Sequence, residues 1–147
     1  MAQDEQLSQS LEEIRQGARN SGFFTLLGMQ IDRAQEGQGT VGIHVDARLL
    51  HPQQIVHGGV IFTLADTAMS MALLSMLGPD IAVSTIEAKI NYLRPVRTGE
   101  LSAEASILHQ GRTTAVLEAS VYNTNGEERK EIARVLGTFH IHQSRTA

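Results

Sequence analysis

The sequence predicts an α+β fold in which an antiparallel sheet curls around one long helix. Two observations carry this. Residues 58–77 form the only long apolar run, opened by Gly58-Gly59 and stopped by Gly78-Pro79, where glycine ends a helix and proline cannot continue it. Two strand-like segments precede this run and four follow it. A helix that apolar must be covered on nearly every side, and one sheet covers only part of it. Assembly with further copies is expected to supply the rest.

Each element has a local reason. Leu7, Leu11, Ile14 and Ala18 recur at helical spacing over residues 7–20, and Ser21-Gly22 stops that helix. Residues 23–28 read as a short apolar connector. Strands are expected over 29–35 and 40–46, joined by Glu36-Gly37-Gln38-Gly39 with its hairpin glycines. In the second strand Val41, Ile43 and Val45 alternate with Gly42 and His44, so one face is apolar. Residues 47–57 are loop, with Pro52 inside. After the long helix, residues 84–93 place Ile86, Ala88, Ile90 and Tyr92 on one face and Thr85, Glu87, Lys89 and Asn91 on the other. Strands over 101–109, 113–123 and 132–142 complete the set, with turns at Gln110-Gly111 and Asn125-Gly126. The chain thus divides into an N-terminal helical extension, 1–21, and an α+β domain, 22–147, with a loose tail from Ser144 to Ala147.

Composition excludes several function classes. With 147 residues, 41% hydrophobic and 19% charged, the chain suits one globular domain. Aromatics are 4% and tryptophan is absent, so Leu, Ile, Val, Ala and Met must build the core. A net charge of -4 argues against nucleic acid as a partner, which would need a basic face. The absence of cysteine removes disulfides, Cys-ligated zinc and a thiolate nucleophile, and fits a cytoplasmic setting. The start, Met1-Ala2-Gln3-Asp4-Glu5, is acidic and polar, unlike a secretory signal. Val60 to Leu77 approaches the ~20 residues that cross a bilayer. It contains Thr63, Asp66, Thr67, Ser70 and Ser75, however, so a core helix with no membrane partner is expected.

Three features stand apart from the scaffold. His57-Gly58-Gly59 sits at the loop-to-helix junction, where two glycines admit a ligand close to the backbone and free helix N–H groups point outward. Such main-chain donors build a carbonyl or oxyanion hole, although paired glycines also serve tight packing alone. Asp66 lies on a largely apolar helical stripe with Phe62, Thr63, Met69, Ser70 and Leu73. A charge placed there needs a partner or a function, whether catalysis or a hydrogen bond across an interface. Eight residues of helix, about 12 Å at 1.5 Å per residue, separate it from Gly58. The two can hardly act on one reacting carbon from the same chain, so a shared site between subunits is expected. The histidines form the third feature: His51 and His57 precede the helix, His140 and His142 alternate onto one face of the last strand, and His44 and His109 read as surface or strand-end residues. An H-x-H pair without Cys or an obvious carboxylate is a poor metal site, and none is expected. The sequence holds no G-x-S-x-G elbow, no G-x-x-x-x-G-K-[ST] and no G-x-G-x-x-G.

The run His57-Gly58-Gly59-Val60-Ile61-Phe62-Thr63-Leu64-Ala65-Asp66-Thr67-Ala68 resembles the signature of the hot-dog acyl-CoA thioesterases of the phenylacetate-pathway (PaaI-type) family. There HGG is followed, nine residues after the histidine, by a catalytic acid in a Leu-Ala-Asp-type context. Asn91-Tyr92-Leu93-Arg94-Pro95 with Thr98-Gly99-Glu100, and His109-Gln110-Gly111-Arg112-Thr113, are similar to the family's strand end and later hairpin. The resemblance implies a hot-dog fold and a homodimer with joined sheets, paired again into a homotetramer, with active sites at the dimer interface. It implies hydrolysis of an acyl-CoA substrate without a cofactor, CoA being part of the substrate. Asp66 would act as general base, or as nucleophile, and the Gly58 amide of the other subunit would polarise the thioester carbonyl. The water-orienting hydroxyl would come from Thr85 or from Ser70, with Thr85 preferred. His57 would hold the turn beside Gly59, and Arg94 and Arg112 would lie near the CoA moiety. One departure stands out: relatives carry Asn or Gln six residues before the HGG histidine, and this chain carries His51, with Gln53 and Gln54 nearby. Alternatives are an enoyl-thioester hydratase or dehydratase, which needs a catalytic histidine, and a non-catalytic acyl-CoA sensor. Phe62, Met69, Leu73 and Met76 suggest an apolar acyl tunnel suited to aromatic or medium-chain groups.

Overall fold

The computed structural model describes residues 1–78 and 80–143, without the side chains of Gln3, Asp4 and residues 6–10. Leu7 of the expected helical stripe, Pro79 and the tail from Ser144 therefore lie outside the described residues. Helix α1 spans Ala2–Arg19, starting earlier than its apolar spacing indicates. The expected connector is itself a helix, α2, Gly22–Leu27. Ser21 explains the difference: besides ending the first helix it caps the next, its Oγ accepting from the Phe24 amide, and Gly28 closes α2 at φ 71°.

Strands β1, Gln30–Gln35, and β2, Gln38–His44, form a hairpin whose two turn residues, Glu36 and Gly37, both have positive φ (53° and 74°). That geometry matches the strand twist. Helix α3 spans Gly58–Leu77. Strands β3, Val83–Tyr92, β4, Glu100–Gln110, β5, Thr114–Asn125, and β6, Glu128–Ile141, follow. All six strands join one antiparallel sheet in the order β1-β2-β4-β5-β6-β3, so β1 and β3 are its edges.

Helix α3 buries Ile61, Leu64, Ala65, Ala68, Met69, Ala72 and Leu73 against inward residues such as Val41, Leu101, Leu117, Val121 and Phe139. Each large apolar side chain so buried contributes about 1.5–3 kcal/mol. Contact with β2 is backbone-close: a Cβ on Gly39 would fall 2.2 Å from the Ala68 carbonyl oxygen. The opposite side of the helix remains partly open, with Phe62, Thr63, Asp66, Thr67 and Ser70 half-buried. One chain therefore leaves its apolar helix incompletely covered, as expected.

Strand β3 departs from simple alternation. Thr85 pairs with Phe139 and Glu87 with Thr138, so Ile86 is an extra residue in a bulge. Beyond it Ala88, Ile90 and Tyr92 pair with Gly137, Val135 and Ala133. Phe139, Gly137, Val135 and Ala133 all face inward, so Thr85 shares the helix-facing side with Ala88, Ile90 and Tyr92. The sequence alternation had put Thr85 on the other side. The bulge reverses its face.

Candidate active site

The start of α3 forms one half of the site. His57 is the N-cap, and its Nδ1 accepts from the Gly59 amide at 2.8 Å. The His57 carbonyl accepts from the Val60 amide at 2.9 Å, and the His57 amide donates to Leu49 O. Gly59 and Val60 thus have acceptors for their N–H groups. Gly58, at the first helical position, has no acceptor one turn back within the helix. Its carbonyl instead accepts from the Tyr92 hydroxyl at 2.7 Å, from the end of β3. Tyr92 is half exposed, and the partial burial of its phenol raises the pKa above the ordinary value.

His51 is fixed in a tight turn before the helix. Its Nδ1 accepts from the Gln53 amide at 3.0 Å, its own N–H donates to Ile55 O, and its carbonyl accepts from the Gln54 amide. With Nδ1 an acceptor, the neutral imidazole carries its proton on Nε2. His51, Gly58, Tyr92 and Arg94 line one cavity of about 300 Å³, with Ile55, Val56, Ile61 and Leu93 on its walls. The side chains of Gln53 and Gln54 are exposed and do not line it, and Gln54 holds a left-handed φ of 62°. Arg94 is exposed and donates to the Glu131 carbonyl.

Asp66 forms the other half. Its Oδ1 accepts from the Thr85 hydroxyl at 2.6 Å, and Ser70, one turn further along α3, is half-buried on the same open side. Arg112 is exposed in the β4–β5 turn. The Thr114–His140–Ser84 register puts that turn at the Thr85 end of the sheet. The residues expected to work together therefore fall into two groups at opposite ends of β3: Gly58, Gly59, His51, His57 and Arg94 beside Tyr92, and Asp66, Ser70 and Arg112 near Thr85.

The four apolar residues of the expected acyl tunnel differ in exposure. Met69 and Leu73 are fully buried in the chain's own core, and Met76 is 55% exposed near the β1–β2 turn. The four recur along one stripe of α3, at spacings of seven, four and three residues, but of them only Phe62 is half-buried on the open side with Asp66. His140 and His142 stand edge to face, 4.6 Å between ring centres, and His142 Nε2 is taken by the Ser84 hydroxyl at 2.6 Å. Among the described residues no third carboxylate or imidazole joins them as a metal ligand. Tyr92 was missed as a site residue. Its position in the Asn91-Tyr92-Leu93-Arg94-Pro95 block was the available signal.

Comparison with known proteins gives a consistent result. Residues 53–130 match the thioesterase superfamily. The chain is 35% identical over 122 residues to the acyl-coenzyme A thioesterase PaaI of Escherichia coli K12, covering 82% of this chain and 83% of that protein. Among solved structures, a thioesterase from Haemophilus influenzae superposes with a TM-score of 0.82 at 30% identity, covering 92% of each chain. The Escherichia coli PaaI protein from the phenylacetic acid degradation operon superposes with a TM-score of 0.81 at 29% identity, covering 95% of this chain and 96% of that one.

Proposed function

From the premise that the chain belongs to the thioesterase superfamily, as a PaaI-type thioester hydrolase with the hot-dog fold, we propose that it hydrolyses acyl-CoA to the free acid and CoA at a site shared by two subunits. The observation that carries the reading is the hydrogen bond from Thr85 to Asp66 at one end of β3, with the Gly58 amide at the other. A largely exposed edge strand, paired with β6 on one side only, joins the two ends. Antiparallel pairing of β3 with a second copy, centred on Lys89, sets Ile90 opposite the partner subunit's Ala88, and the bulge at Ile86 then brings Thr85 opposite the partner subunit's Tyr92. Each Asp66 then meets the partner subunit's Gly58.

In this mechanism Thr85 holds Oδ1 of Asp66, leaving Oδ2 to take a proton from water as its oxygen attacks the thioester carbonyl carbon. The partner subunit's Gly58 N–H and the partner subunit's His51 Nε2–H donate to the carbonyl oxygen as it becomes an oxyanion. Collapse of the tetrahedral intermediate breaks the C–S bond, and the departing thiolate takes the proton from Asp66. No cofactor enters. Arg94 and Arg112, exposed at opposite ends of β3, both come near the phosphates of CoA once the strands pair. The reading sets the enzyme in the cytoplasm as a homodimer that pairs into a homotetramer. The relatives' names point to aromatic acyl groups first.

The test is thiol release from a panel of aromatic and medium-chain acyl-CoA substrates, for the wild type and Asp66→Asn. Hydration of crotonyl-CoA is measured in parallel. Hydration without hydrolysis, or tight acyl-CoA binding without turnover, would replace this reading with a hydratase or a sensor.

A further inference from the structure

Three hydrogen bonds at the start of α3 decide which amide is available. His57 Nδ1 engages the Gly59 N–H, the His57 carbonyl engages the Val60 N–H, and the Gly58 carbonyl receives the Tyr92 hydroxyl at 2.7 Å. The peptide that carries the Gly58 N–H is therefore held through Val60 at its own carbonyl, and the next peptide, which carries the Gly58 carbonyl, is held by Tyr92. The contact with Tyr92 is close packing as well as hydrogen bonding. A Cβ on Gly58 would lie 2.9 Å from the Tyr92 hydroxyl oxygen and 3.0 Å from the ring carbon that bears it.

We propose that Tyr92 is a positioning residue for hydrolysis: its hydroxyl anchors Gly58 to β3 and so aims the Gly58 N–H at the thioester carbonyl. The inference rests on the proposed function and adds a role for β3. The strand that places Thr85 on Asp66 also places Tyr92 on Gly58, so each copy of the strand sets one half of each of the two shared sites. A donor aimed at the position of the oxyanion acts in the transition state more than in the ground state, so losing its aim lowers kcat more than it raises KM.

The experiment uses the full chain with phenylacetyl-CoA and hexanoyl-CoA as probes. Tyr92→Phe is expected to lower kcat about 10-fold or more with KM within about twofold, since a small misplacement of a catalytic donor has effects of this order. The amide resonances of Gly58 and Gly59 in ¹⁵N-glycine-labelled protein are expected to move. The chain has two tyrosines, so 3-fluorotyrosine incorporated in a Tyr122→Phe background modifies Tyr92 alone and keeps its hydroxyl. That protein should retain kcat within about twofold, which a loss caused merely by perturbed packing would not predict. An unchanged kcat in Tyr92→Phe, beside an active wild type and an inactive Asp66→Asn, overturns the role of Tyr92 alone. Unmoved glycine resonances overturn it too. A wild type inactive on every acyl-CoA overturns the functional reading and this role with it.

Discussion

The Thr85 hydroxyl donates to Oδ1 of Asp66 across 2.6 Å, tying the exposed edge strand to the middle of the apolar helix. Hydrogen bonds to charged groups contribute about 1.5–3 kcal/mol, which is enough to hold the carboxylate in one rotamer. Thr85→Val keeps the shape and removes the donor, so kcat should fall about 10- to 100-fold and the melting temperature by several degrees. Asp66→Asn should cost on the order of 100-fold or more. Steady-state kinetics beside thermal melts check both. If Thr85→Val hydrolyses at the wild-type rate, the hydroxyl role moves to Ser70.

A site shared between subunits predicts complementation. Asp66→Asn homodimers lack the base, and Gly58→Val homodimers lack a usable amide because the added side chain meets Tyr92. A mixed dimer retains one intact site, so co-expressed and re-purified mixtures should recover activity towards about half of the wild-type level per mixed dimer. Light scattering on the same samples gives the assembly state. Full activity in a diluted monomer contradicts the shared site.

His51 presents Nε2 as a donor because Nδ1 is committed to the Gln53 amide. His51→Ala should lower kcat about 10-fold or more with a small effect on KM, as for loss of one carbonyl-hole donor. His51→Asn offers a side-chain amide in the same place and should keep most of the activity. Equal activity in wild type and His51→Ala would move the role to Gln53 or Gln54.

Asp32, on β1, predicts a pH effect on stability. Asp32 is exposed, but partial desolvation of its carboxyl group raises the pKa above the ordinary carboxylate value, against a smaller opposing effect of Arg15, whose guanidinium donates to the Ile31 and Asp32 carbonyls. A carboxyl with a raised folded pKa binds its proton more tightly in the native state. Its favourable contribution is fully present below the unfolded pKa and is lost as pH rises through the folded one. Asp32→Asn should therefore raise the melting temperature at pH 7, with the gain shrinking as pH falls through the raised folded pKa and gone below about 4. An equal gain at pH 3 and pH 7 would count against desolvation as the cause.

Much of this protein was determined by the sequence alone. The 20-residue helix, the glycines that start and stop it and the hairpins were legible because their signals are local. The eight-residue separation of Gly58 from Asp66 was legible too, since helical rise converts residue count into distance. From that distance follows the proposal of a site shared between two chains. Tertiary structure decided the rest. Ser21 and Gly22 read equally as a stop or a start, and the packing of α2 behind Ser21 chose both. The face of Thr85 depends on the bulge at Ile86, which exists only in register with β6. A single extra residue turns every later side chain in a strand to the other face, so no alternation within β3 alone could place Thr85 on Asp66. The availability of the Gly58 amide likewise depends on His57 occupying Gly59 and on Tyr92, 34 residues away, gripping the carbonyl. Spacing along one element is set by covalent geometry, whereas contacts between elements are set by how the strands register on the helix.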